Sequence, residues 1–324
     1  MPLDDVPPQI RDLADTRGAA RRARDWATAD RIRDELEAAG WRVIDAASLY
    51  TLERAVPPDV ERDGVTWYGA SVSVPSRLDE PGTGAATVVL VASDGTGEGG
   101  PAAEAVETVR RGSAGVPVVI VVDGPIAAAG AVALAEPREG VEVVRLATRQ
   151  GHAAALNAGI RRVASPVVVL LDPGVRPEGD LVGALVVALE DPSVAVAGPF
   201  GLVSADLRAF EPAPAGATDV VAIDGAAIAF RRADFIASGP LDEHFTTPAS
   251  LDTWWSLVLR DQGEDDPEDA APRRALVAGA TLAVRSPRER APEGSGEERL
   301  AKKSFYRVLK RFASRRDLLL GGEG

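Results

Sequence analysis

The chain has 324 residues, 45% hydrophobic and 26% charged, with 36 Lys and Arg against 49 Asp and Glu for a net charge of −13. That composition is globular and large enough for one sizeable α/β domain with smaller attachments, and the acidic balance argues against general nucleic-acid binding, which needs a positive face. With no cysteine, disulfides, zinc–thiolate sites and thiol nucleophiles are excluded, and two histidines, His152 and His244, exclude a histidine-rich metal site.

The first residues, MPLDDVPPQI, are acidic and proline-rich, unlike a signal peptide. No apolar run approaches the roughly 20 residues of a membrane span, so the chain reads as cytoplasmic. Residues 1–48 read as a small helical module. Ala23, Trp26, Ala29, Ile32, Leu36 and Ala39 recur every three or four positions, which marks one face of an amphipathic helix or helix pair. Gly40 suits the position just past a helix end, and Trp41 to Ile44 alternates like a short strand. The run RRARDWATADRIRDELEAAGWRVID resembles the C-terminal helical domain of cysteinyl-tRNA synthetases, over about residues 10–46. The resemblance implies an RNA- or partner-contacting surface on Arg21, Arg22, Arg24, Arg31 and Arg33; the alternative is a small docking element with a solvated charged face. The synthetase's catalytic motifs and zinc cysteines occur nowhere, so aminoacylation is not implied.

Residues 49–84 are rich in Pro, Gly and charge and read as an extended connector, with one strand at Val65 to Tyr68 and a domain boundary near Ala85. From 85 to 275 strands alternate with helices. Strands are expected at Thr87 to Ala92, Val116 to Val122, Val141 to Leu146 and Val167 to Leu171, and helices at 101–111 and 126–135. This order predicts an α/β fold, a mostly parallel sheet flanked by helices. Asp94, Asp123 and Asp172 each fall just past a strand, on the rim where open α/β sheets collect ligands. Gly95 to Gly100 satisfies G-x-G-x-x-G, but Pro101 looks like the first helical residue and Asp94 puts a negative charge where a phosphate would approach. A loop is the better reading than a dinucleotide site.

Five motifs then follow in order: Arg149-Gln150-Gly151-His152-Ala153-Ala154-Ala155-Leu156-Asn157-Ala158-Gly159; Leu171-Asp172-Pro173-Gly174; Asp224 to Arg232; Gly239-Pro240-Leu241-Asp242-Glu243-His244-Phe245; and Leu251-Asp252-Thr253-Trp254-Trp255 running on to Gly263. With the turns after the first two strands, they make residues 85 to about 265 resemble family 2 glycosyltransferases, which have the GT-A nucleotide-sugar-binding fold. The resemblance implies inverting transfer of a hexose from a nucleoside-diphosphate sugar, assisted by a divalent cation, Mn or Mg. It implies donor contacts from Asp94, Asp123, Gly151, Asn157 and Asp172, acceptor contacts from Asp242, Glu243, Trp254 and Trp255, and a general base at Asp252. Asn157 has a rival reading as a hydrogen-bonding residue within its own loop. Adjacent Trp254 and Trp255 face different ways, one toward the core.

The chain departs from the family pattern at Arg149, Gly174, Leu251 and Val258. Gly174 stands where the family has the metal-binding Asp, which leaves Asp172 as the one candidate metal ligand. Three functions therefore stay open: an active transferase, an inactive nucleotide-sugar-binding or scaffold protein, and an RNA- or partner-docking protein acting through the N-terminal module.

In residues 276–324, the run 276–284 reads as a last buried strand. Leu300, Phe305, Val308, Leu309 and Phe312 then mark an amphipathic helix whose other face carries Lys302, Lys303, Arg307, Lys310, Arg311, Arg315 and Arg316. That helix, at 300–316, suits either contact with an anionic membrane surface or packing against an acidic domain.

Overall fold

The computed structural model describes residues 6–46, 49–92, 100–125, 138–261, 272–278, 281–284 and 295–320. Asp94, the stretch 95–99 and the helix expected at 126–135 lie outside them. The chain forms two compact units, Met1–Asp59 and Val60–Gly324.

In the first unit, helices α1 (Pro8–Arg22) and α2 (Trp26–Ala38) precede a hairpin of β1 (Trp41–Ala46) and β2 (Leu49–Arg54). The helices separate at Arg24, whose φ is 62°, and Asp25 caps α2 by accepting the Thr28 N–H at 3.1 Å. Ile10, Ala14, Ile32, Leu36, Trp41 and Leu52 make its core. Residues 49–54, expected within a connector, are a strand because Leu52 buries against this core. Arg17 and Arg21 both bind Asp45, so part of the basic surface is held internally.

The second unit is built on a ten-stranded sheet. Its strands in chain order are β3 (Val60–Arg62), β4 (Val65–Tyr68), β5 (Ala86–Ala92), β6 (Val118–Val122), β7 (Val141–Leu146), β8 (Val167–Leu171), β9 (Arg176–Glu178), which pairs elsewhere, and β10 (Val194–Gly198). Short strands follow: β11 (Gly201–Val203), β12 (Glu211–Pro212), β13 (Asp219–Val220) and β14 (Ala222–Ile223). The last are β15 (Ala227–Arg231), β16 (Arg274–Val277) and β17 (Thr281–Val284). The sheet order is β13-β16-β10-β15-β8-β5-β6-β7-β4-β3. Strands β8, β5, β6, β7 and β4 are parallel, and β15 inserts antiparallel between β8 and β10. The run expected as one strand at 276–284 is two. Strand β16 lies beside β10, whereas β17 pairs with β9 just past Asp172; an apolar run does not reveal where a chain changes partner.

Every residue of β5, β6 and β8 is buried, as their uninterrupted apolar runs require of strands covered on both faces. Alternate residues feed two cores. Val89, Val91, Val121 and Leu170 face α4 (His152–Ile160), α7 (Leu251–Arg260) and α8 (Gly296–Phe312), while Val88, Leu90, Ile120 and Val169 face α3 (Gly100–Gly112) and α5 (Leu181–Ala188). The remaining helix, α6 (Arg232–Ser238), follows β15. Helix α4 sits so close to the sheet that a Cβ on Gly159 would come within 2.5 Å of Val89 Cγ1 and 2.8 Å of Val121 Cγ2. Gly159→Ala is therefore expected to destabilise the unit by roughly 1–3 kcal/mol through overpacking, read as a lower denaturation midpoint; an unchanged midpoint would refute the close approach. No helix among the described residues is long and apolar enough to cross a membrane.

Candidate functional site

The parallel strands bring Asp123 and Asp172 to the same rim. Asp123 follows β6 and is 4% exposed; its Oδ1 accepts the Gln150 N–H at 2.7 Å and its Oδ2 the Gly151 N–H at 3.1 Å. This carboxylate thus fastens the loop leading into α4. Gly151 is required in that loop: its φ is 99°, and a Cβ there would lie 2.9 Å from Thr246 Cα.

Burial is the largest influence on Asp123 and raises its pKa, against the lowering effect of the two N–H groups and of Arg149. A raised folded value means that the native state holds the proton longer than the unfolded chain. The group's contribution to stability is then greatest at low pH and falls as pH rises from about 3.9 through the folded value. Asp123→Asn should remove that dependence, so the wild-type minus variant difference in melting temperature should decline as pH rises above the ordinary carboxylate range. A difference that grows instead would show the opposite shift.

Asp172 ends β8. Its backbone N–H donates to Ala226 O at 3.0 Å, and its Oδ1 accepts the Gly174 N–H at 2.7 Å, closing the Asp172-Pro173-Gly174 turn on itself. Arg176 Nη1 donates to Pro173 O at 2.7 Å and to Val175 O at 3.1 Å, holding the turn from the other side.

Asp252, in the first turn of α7, lines the same cleft as Asp172. Its Oδ2 accepts the Gly225 N–H at 2.7 Å and its Oδ1 the Thr253 N–H at 2.9 Å. These bonds fix the orientation of Asp252. The cleft has a volume of about 500 Å³, part of it open to solvent. Asp172, Pro173, Gly225, Pro248, Asp252 and His152 line it, with an apolar floor of Val91, Leu156, Leu170, Leu171, Ile228, Leu241, Leu251 and Trp255. A mainly apolar cleft with a few convergent polar groups is the usual form of a small-molecule site. Its walls come from chain segments more than 150 residues apart.

The other candidates are placed differently. Asn157 is 2% exposed, and its Nδ2 donates to Leu241 O at 2.9 Å and to Glu243 Oε1 at 3.0 Å, while its Oδ1 accepts the Leu241 N–H at 2.9 Å. It clips α4 to the turn 239–245. Glu243 also accepts the Ser71 hydroxyl, and Asp242 accepts the His244 N–H at 3.0 Å and pairs with Arg307 at 3.3 Å. Trp254 is wedged between Phe245 and Phe312, each with ring centroids 5.4 Å away, with the Arg311 guanidinium 5.2 Å from its centroid. Trp255 is buried edge-on against Phe230 and Phe235 and touches the cleft. Neither indole presents an open face for stacking. Asp123, Gly151, Asn157, Asp242, Glu243 and Trp254 are not among the cleft's lining residues. Conversely, Pro248, not singled out in the sequence, and His152, not assigned a ligand role there, do line it. His152 could have been found by its place directly after Gly151.

Helix α4 might be thought to offer its N-terminus to a phosphate, but its first N–H groups are taken. His152 N–H donates to Thr246 O and Ala153 N–H to Phe245 O, both at 3.0 Å. At Asp172-Pro173-Gly174 the donor set for a divalent cation is one carboxylate, already engaged by the Gly174 N–H. Position 174 has no side chain to add, and among the described residues no three Asp, Glu or His groups gather as a metal site. These residues do not by themselves make a hard-cation site, which takes several oxygens.

The layered sheet, its rim of carboxylates and the cleft define a GT-A nucleotide-sugar-binding fold. The chain shares that fold with GalNAc-T7, whose crystal structure was determined with UDP, GalNAc and Mn2+: the match covers 81% of this chain and 53% of that one, at a TM-score of 0.56 and 14% identity. Residues 98–231 match the model of glycosyl transferase family 2. The N-terminal region is similar to cysteine–tRNA ligases. It is 46% identical over 54 residues to that of Opitutus terrae, covering 17% of this chain and 12% of the ligase, and 63% identical over 38 residues to that of Kocuria rhizophila, covering 12% and 8%. The chain thus spans about a tenth of the ligases' own length.

Proposed function

We propose that this protein is an inverting glycosyltransferase that moves a hexose from a nucleoside-diphosphate sugar to an acceptor hydroxyl. The observation that carries the reading is the cleft lined by both Asp172 and Asp252, in a chain whose residues 98–231 match the family 2 model. Asp252 is oriented by the Gly225 N–H and lines the cleft, the placement a general base needs. It would take the proton of the acceptor hydroxyl as that oxygen attacks the anomeric carbon from the face opposite the departing diphosphate. Asp172, at the strand end, would orient the donor's sugar or ribose hydroxyls. The apolar floor would exclude water from the reacting centre. A divalent cation, where used, would supply charge neutralisation to the diphosphate. The Asp172-Pro173-Gly174 turn offers it little, so no step is assigned to it.

A second reading is favoured by that same turn: a protein that binds a nucleotide sugar without transferring it. A thermal-shift screen of UDP-, GDP- and dTDP-sugars, with and without Mn2+, followed by a transfer assay with the stabilising donor, separates the two. A donor that raises the melting temperature and is consumed supports the transferase. Stabilisation without consumption supports the binding protein, and no shift at millimolar concentration with any donor removes both.

A further inference from the structure

The C-terminal helix α8 serves two surfaces at once. Its inner side is buried in the domain through Val308 and Phe312, and three of its basic residues or those just beyond it are turned to domain carboxylates: Arg307 to Asp242 at 3.3 Å, Arg311 to Asp261 at 3.7 Å, and Arg315 to Asp261 at 2.7 Å. Packing on an acidic domain therefore accounts for part of the helix's charge. On the outer side Arg299, Lys302, Lys303, Lys310 and Arg316 are exposed. No acidic residue occurs anywhere between Arg299 and Arg316, in a chain whose net charge is −13. Such segregation gives an acidic protein a positive face, to which an anionic surface is attracted against the chain's net charge. Leu300 and Tyr306 punctuate the same face at 42% and 69% exposure, and Leu320 beyond it is 46% exposed. The ion pair of Lys302 with Glu298 is solvent-exposed on the lysine side and holds that lysine only weakly.

We propose that the outer face of α8 docks this protein onto an anionic lipid bilayer. Val308 and Phe312 are already occupied inside the protein, so the helix lies on the headgroups rather than inserting its apolar side. Tyr306 and Leu300 reach the interfacial layer, and the cations supply most of the attraction. A bilayer fits better than a nucleic acid. The face interleaves its charges with isolated apolar side chains, Leu300 and Tyr306, whereas strand-binding surfaces are grooves with aromatic platforms. The inference is independent of the transferase reading, because it concerns a surface whose residues do not line the cleft.

The test is co-sedimentation of the full chain with vesicles of phosphatidylcholine alone and of phosphatidylcholine with about one-third phosphatidylglycerol. The expected result is binding to the mixed vesicles only, lost as salt is raised toward 0.5 M, where the screening length falls to roughly 4 Å. Each lysine near an anionic surface is worth about fivefold in affinity, so Lys303→Glu with Lys310→Glu should weaken binding by at least about 25-fold. Both side chains are exposed, and an unchanged melting temperature shows that the variant is folded. Absence of binding to mixed vesicles, equal binding to phosphatidylcholine alone, or full binding by the folded double variant overturns the proposal. Displacement from vesicles by a short RNA at lower concentration than by free phosphatidylglycerol vesicles reassigns the face to nucleic acid and overturns it equally.

Discussion

Asp252→Asn is expected to lower glycosyl transfer by about 10²- to 10⁴-fold, the range by which a positioned general base accelerates proton transfer. Asn keeps the size of the side chain and one oxygen to accept the Gly225 N–H, so α7 and the cleft wall stay in place. The lost negative charge in the helix's first turn costs only about 0.3–1 kcal/mol of stability. Donor binding should persist, because the donor's contacts are assigned to Asp172. The measurement is a single-turnover rate with the donor found by thermal shift, beside the dissociation constant of that donor. A variant that transfers at the wild-type rate would place the base elsewhere. A variant that no longer binds donor would make Asp252 a ligand of the nucleotide sugar instead.

The second large effect is on stability. Asn157→Ala should destabilise the second unit by about 3 kcal/mol, since it strands the buried N–H and C=O of Leu241 at a cost of roughly 1–3 kcal/mol each. Asn157→Asp should be no better at neutral pH. Its Oδ1 can still accept the Leu241 N–H, but the other oxygen would face Leu241 O and the Glu243 carboxylate, where the amide now donates. Acidification toward pH 4 should partly restore the Asp variant, because a protonated carboxyl can donate where the carboxylate cannot, and should leave the Ala variant unrestored. Denaturant melts at two pH values decide it. If Asn157→Ala melts as the wild type does while donor affinity collapses, the side chain binds ligand and is not a clip.

Several features of this protein are local and were legible along the chain. The apolar runs of β5, β6 and β8 require burial on both faces, and Asp123 and Asp172 follow strands that prove parallel, which places both on one rim whatever the loops do. Helices α2, α4 and α7 stand where their motifs put them, and the family 2 match over residues 98–231 takes in the motifs at 149–159, 171–174 and most of 224–232. Gly174 was visible as a missing ligand because one position suffices to show it.

Only the tertiary structure decided which polar groups still have capacity to meet a ligand. Asn157 and Glu243 looked like ligands from their motifs, yet each meets the other across 86 residues and serves to join α4 to a distant turn. Trp254 looked like a sugar platform and is instead held between Phe245 and Phe312, the latter supplied by a helix some 50 residues on. Asp172 and Asp252 do share one cleft, with His152 beside them. The physical reason is the same in each case. Periodicity and turn chemistry are set by neighbours within a few residues, so a sequence displays them directly. A lone pair or an indole face is claimed by whichever group the completed fold brings to it, and that group is usually far away along the chain.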